Sequence, residues 1–174
     1  MPAASVSLNE LTHLMEHLPH YAAYASRRRA VDGEREFRRS LGSLLKECGD
    51  HLLNVAEHRA LVLSGEQEEI IDLLVDHIGS IFRRLDREGL VAIAGDPVET
   101  VPELEELDSR LLLLAEHALT LTRALDERTP SDHWFGEQAI LLSQDLADLS
   151  QTAEERNYLL GLGWESEFAS LSRR

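Results

Sequence analysis

Leucine and its aliphatic relatives recur along most of this chain at alternating steps of three and four residues, and that beat limits the possible folds more than any motif does. A side chain returns to the same side of an α-helix about every 3.6 residues, so the spacing lays apolar groups in one stripe, where a strand would need steps of two. Leu8, Leu11, Met15, Leu18, Ala22 and Ala25 form a first stripe. Phe37, Leu41, Leu44, Leu45, Cys48, Leu52, Val55 and Ala56 form a second, and Ile70, Ile71, Leu74, Ile78, Ile81, Phe82 and Leu85 a third. Leu104, Leu107, Leu111, Leu114, Ala118, Leu121 and Leu125 keep the alternation unbroken, and Phe135, Ala139, Leu142, Leu146, Leu149 and Ala153 close the series. The pattern predicts an all-α chain: a bundle of about five long amphipathic helices, a four-helix-bundle-like core with an extra helix and a C-terminal tail.

Punctuation places the ends. Ser7 with Glu10 opens the first helix, which Pro19 should kink near Leu18, and Asp32-Gly33 separates it from the second. Ser64-Gly65-Glu66-Gln67 reads as a capping box, and Arg83, Arg84 and Arg87 suit a helix C-terminus before Gly89. Thr100 to Glu103 reads as another box with Pro102 in the first turn, and Pro130-Ser131-Asp132 starts the last helix. The expected helices are therefore 8–30, 34–63, 65–88, 101–127 and 132–160, with a crossover loop over 89–100. With neither a repeat nor a second-domain boundary, residues 1–174 read as one domain.

Charge and cysteine usage exclude several function classes. The formal net charge is −15, which repels nucleic-acid phosphates and anionic membranes over most of the surface. One cysteine, Cys48, allows no internal disulfide and no cysteine-based zinc or iron–sulfur site, and its place on the second stripe predicts a buried, inert thiol. No secretory leader and no run of about 18 apolar residues is evident, so a cytoplasmic location with no membrane association is expected.

Histidine, with 8 copies, is the residue type most able to carry chemistry. His13, Glu16, His17 and His20 fall within reach of one another on a helix, and their nitrogen and oxygen donors suit a metal, yet that face lies opposite the leucine stripe and should meet solvent. A di-metal carboxylate bundle needs inward Glu-x-x-His motifs on two helices; the one present, Glu10 to His13, points outward. His51, His58, His77 and His117 sit at stripe boundaries, so four helices could converge them on a metal or small ligand with acids such as Glu57, Asp76 and Glu116. Packing with a polar tip explains each of them more simply. Arg128 to His133 fits the Arg-x(4–6)-His spacing of the all-helical HEPN ribonucleases, but about two such matches arise by chance in this composition, so the spacing identifies nothing by itself.

Two surfaces remain. Arg27, Arg28, Arg29, Arg35, Arg38 and Arg39 give the segment 27–39 a charge of +3 and leave −18 on the rest; guanidinium forks could clamp a phosphate or an acidic partner, or simply complete helix-end and Glu34–Arg38 contacts. Leu112, Leu113 and Leu119 widen the fourth helix beyond a single seam, which requires either a central position or an interface. Together with Trp164, Phe168 and Leu171 of the tail, Leu112 and Leu119 are the interface candidates. The sequence thus favours a non-enzymatic protein–protein interaction or regulatory bundle that homodimerises or docks on a protein partner, with no cofactor and no catalytic residues. A metal- or small-ligand-binding bundle is the first alternative and a HEPN-like ribonuclease the second.

Overall fold

The computed structural model describes residue 18 and residues 27–85, 97–127 and 131–160, with side chains from residue 33 of the first stretch and residue 99 of the second. Among these residues there are four α-helices and no strand: α1 (Arg27–His58), α2 (Gly65–Leu85), α3 (Pro97–Glu127) and α4 (Ala139–Leu159). A π-helical turn, Trp134–Gln138, runs directly into α4. None of the helices among the described residues is long and apolar enough to cross a membrane.

Each helix packs on two others: α1 and α4 both flank α2 and α3, while α2 and α3 lie diagonally. Cross-helix contacts fix the directions. Arg38, early in α1, reaches the Leu85 carbonyl at the end of α2, and Arg59, just past α1, reaches the Leu125 and Asp126 carbonyls at the end of α3. So α1 runs antiparallel to α2 and parallel to α3. Arg84 meets Glu154, making α2 and α4 parallel, and His117 meets Asp145 on the antiparallel α3–α4 pair. The stripes read from the sequence meet inside: Phe37, Leu41, Leu45, Cys48, Leu52, Ile71, Leu74, Ile78, Leu111, Leu142, Leu146 and Leu149 share one buried core. Each of these side chains contributes roughly 1.5–3 kcal/mol by leaving water.

Several local expectations are met by name. Ser64 and Gln67 exchange the two capping-box hydrogen bonds, at 3.0 and 3.3 Å. Ser131 accepts the Trp134 amide at 3.3 Å on its hydroxyl, and the indole Nε1–H then donates to the Leu121 carbonyl at 3.1 Å, so a cap and an aromatic anchor begin the last helix together. The π-turn gathers Trp134 and Phe135 into the core edge to face, with centroids 5.0 Å apart. Gly42 lets α1 and α2 approach closely, since a Cβ there would sit 3.3 Å from the Phe82 ring.

Others are corrected. Asp32-Gly33 does not end a helix; both lie inside α1, where packing overrides a local glycine cost of about 1 kcal/mol. The helix expected from 101 begins at Pro97, which takes the permissive first turn, and Pro102 lies within the helix. Residues 97–100 of the expected crossover loop are therefore helical, and 89–96 lie outside the described residues, as does the first stripe apart from Leu18.

Candidate functional site

The least expected feature is inside. Glu34 of α1, Asp108 of α3 and Arg156 of α4 are all buried, Arg156 to 1% exposure, at the end of the structure where α2 and α4 finish. The Arg156 guanidinium donates to both Glu34 oxygens, Nη1 at 2.6 Å and Nη2 at 2.7 Å, and its Nε and Nη2 donate to Asp108. Its Cζ also lies 4.6 Å from the centroid of the Phe37 ring. Arg38 adds a second cation, donating to Glu34 at 2.5 Å and to the Leu85 carbonyl at 2.8 Å, which ties the end of α2 into the same network.

Burial disfavours the charged form of Glu34, but the Arg156 charge and hydrogen bonds, joined by those of Arg38, outweigh it and hold the carboxyl at about 2. Arg156 is driven the other way by the same pairing: burial opposes its charge, and Glu34 and Asp108 more than restore it. These groups are thereby locked in their ionised forms. A planar fork facing two carboxylates fixes the mutual rotation of α1, α3 and α4 and leaves no exposed acid, base or nucleophile.

None of these three residues was read from the stripes as an interior position. The signal was present in the stripes themselves. Stepping back three from Phe37 reaches Glu34, stepping on three from Ala153 reaches Arg156, and four on from Leu104 reaches Asp108. On α3 the true buried seam is Leu104, Asp108, Leu111, Ala115, Ala118, Thr122 and Leu125. The partners expected for that seam, Leu107 and Leu114, are only half-buried.

The boundary histidines are dispersed. Nδ1–H of His51 donates to Asp126 at 2.7 Å across α1 and α3, beside a Glu47–Arg123 pair at 2.6 Å. His117 donates to Asp145 at 2.6 Å across α3 and α4, and His58 donates to the Asn54 carbonyl of its own helix at 3.0 Å. His77, where burial and then the Arg84 charge disfavour protonation, belongs to α2. Among the described residues, no group of three His, Cys, Asp or Glu is placed to hold a metal ion. Cys48 is fully buried, and burial pushes its thiol up to about 12.

Leu112 and Leu119, expected as interface residues, are corrected: both lie in the core, because α3 is covered by α1 on one side and α4 on the other. Of the basic patch, Arg35 and Arg39 are exposed, Arg38 is half-buried in the network above, and the side chains of Arg27, Arg28 and Arg29 lie outside the described residues. So do Arg128, His13, Glu16, His17, His20, Trp164, Phe168 and Leu171. His133 is exposed, 3.6 Å from Glu137.

Exposed aliphatic groups occur elsewhere. Leu61 and Val62, in the α1–α2 turn, are largely or wholly exposed, as are Leu73 of α2 and Ile140 of α4. Two contacts set α2 against α4: Gln67 to Asp132 at 3.4 Å and Arg84 to Glu154 at 2.7 Å. Interpolating between them puts Leu73 level with Ile140. Leu73 shares the side of α2 that carries Arg84, whereas Ile140 lies on the side of α4 turned away from Leu142, Leu146, Leu149 and Ala153. The first half of α2 carries Glu66, Glu68, Glu69, Asp72 and Asp76, none of which forms an ion pair with another described residue.

No protein-family model, curated protein or solved structure matches this chain.

Proposed function

We propose that this chain is a non-enzymatic protein-interaction module whose docking face is the α2–α4 flank together with the adjoining α1–α2 turn. The observation that carries this is the exposure of Leu61, Val62, Leu73 and Ile140, each more than half exposed and more so than Leu53, Leu113 and Leu141, while most of the aliphatic stripes enter the core. Aliphatic groups left exposed on a folded chain offer apolar surface that a partner can cover. The interior charges favour the same conclusion, because they satisfy one another and present no reactive group.

Of the residues expected to serve either a homodimer or a partner, Leu112 and Leu119 are in the core and Trp164, Phe168 and Leu171 lie outside the described residues. We favour a different protein as the partner because two copies each carrying −15 repel. The test is a photo-crosslinking residue placed at Leu73 or Ile140 in the native cell, with Leu113 of α3 as the control. Adducts to one other protein from both flank positions and none from the control are the expected result. An adduct of twice the chain mass would reinstate the homodimer. The same adducts from Leu113, or none from either flank position, would remove the face.

A further inference from the structure

We infer that the Arg156 network is a conformational selector: it decides which face of α3 turns inward, between two apolar seams that the helix offers with nearly equal claim.

The two seams share one beat. Leu104, Leu111, Ala118 and Leu125 belong to both. The buried seam completes them with Asp108, Ala115 and Thr122, and its rival with the residue just before each, Leu107, Leu114 and Leu121. At about 100° per residue, the two differ by a rotation of α3 through about 40°. Apolar burial does not separate them. The observed rotation buries Leu104, Leu111, Leu112, Leu119, Leu121 and Leu125. Turning to the rival would bring the half-buried Leu107 and Leu114 into the core and turn Leu112 and Leu119 away from it, so leucines are exchanged one for one. A core packed so largely with leucine loses uniqueness before it loses stability, because one aliphatic side chain fits nearly where another did.

Charge does separate them. Asp108 is fully buried and accepts from Nε and Nη2 of Arg156, while the same guanidinium forks onto Glu34. A rotation of about 40° carries a side-chain tip some 5 Å from the helix axis through about 3 Å, which takes Asp108 out of hydrogen-bond reach. Arg156 is held against following it: Glu34 of α1 grips both Nη atoms, the Phe37 ring lies 4.6 Å from Cζ, and Arg38 ties Glu34 to the Leu85 carbonyl at the end of α2. Breaking a buried ion pair is far more unfavourable than exchanging aliphatic contacts. Directional bonds from α1 and α4 thus fix a rotation that the leucines leave open, the use of buried polar groups as a register device.

The experiment uses the full chain with methyl-labelled leucines and a soluble paramagnetic agent that broadens each methyl signal according to its exposure. In the parent, Leu112 and Leu119 should be shielded and Leu107 and Leu114 partly reached. A neutral variant, Glu34→Leu with Asp108→Ala and Arg156→Met, adds no leucine to either seam of α3. It should stay helical yet place roughly a tenth or more of its molecules in a second state, with Leu107 and Leu114 shielded and Leu112 and Leu119 reached. Adding Leu107→Gln and Leu114→Gln to it should return Leu112 and Leu119 to the shielded state, since the rival seam is then polar. A folded neutral variant with the parent pattern alone would overturn the inference, because packing would then choose the face unaided; a second state that survives the two glutamines would overturn it too. Should the neutral variant unfold, Arg156→Lys decides, because it keeps the charge and loses the fork. The same second state, less populated, is expected from it, and the parent pattern alone would overturn the inference.

Discussion

The two ends of this structure invert the usual distribution of side chains in opposite ways. Where α2 and α4 finish, two carboxylates and a guanidinium are buried; near the α1–α2 turn, at the other end, Leu61 and Val62 stand in water. At the first end, charge is tolerated because Arg156 reaches both Glu34 and Asp108, so each ion finds its counter-ion in the same small volume. At the second, Leu61 and Val62 are left largely uncovered by the other described residues. The contrast sets an end specified by the chain's own ion pairs against one whose aliphatic groups stay exposed, the end that the proposed docking uses.

The sharpest way to break this contrast is Arg156→Met, which strands two buried carboxylates. A loss of about 3–5 kcal/mol in denaturant unfolding is expected. Combining it with Glu34→Leu and Asp108→Leu removes all three charges, and most of that loss should return. A triple variant no more stable than the single one would mean that the ion pairs themselves supply the stability.

Acid should probe the same end. Glu34 is held at about 2 against 4.5 for the free side chain. Its folded value is depressed, so its contribution is complete above about 4.5 and is lost as pH falls from there towards 2, a change of about 3 kcal/mol. Chemical denaturation across that range should show the slope in the parent chain and a shallower one in Glu34→Gln.

Smaller effects belong to the other end. Ser64→Ala removes the α2 cap and should cost about 1 kcal/mol in thermal unfolding. Leu61→Ser with Val62→Ser should change stability by less than about 0.5 kcal/mol, since neither side chain is buried. A larger loss would show that Leu61 and Val62 serve the fold rather than a partner.

Much of this was legible in the residues. The capping box at Ser64, the helix start at Ser131, the Glu34–Arg38 pair and the burial of Cys48 each follow from local spacing and are each observed. The buried charges were not read, although they occupy stripe positions, because a search for apolar periodicity stops at the first charged residue. On α3 it also chose Leu107 and Leu114 over Asp108 and Ala115, since two seams with the same beat compete and leucine marks the wrong one.

The sequence by itself determined that the described chain is helical, where α2 begins and α3 ends, and most of the aliphatic residues that turn inward on α1, α2 and α4, because these depend on neighbours three or four positions away. Only the tertiary structure decided that α3 is buried on two sides and that Glu34, Asp108 and Arg156 meet. Those facts depend on which helices are neighbours and in what rotation, and residues 48 to 122 positions apart in the chain have no local rule that brings them together.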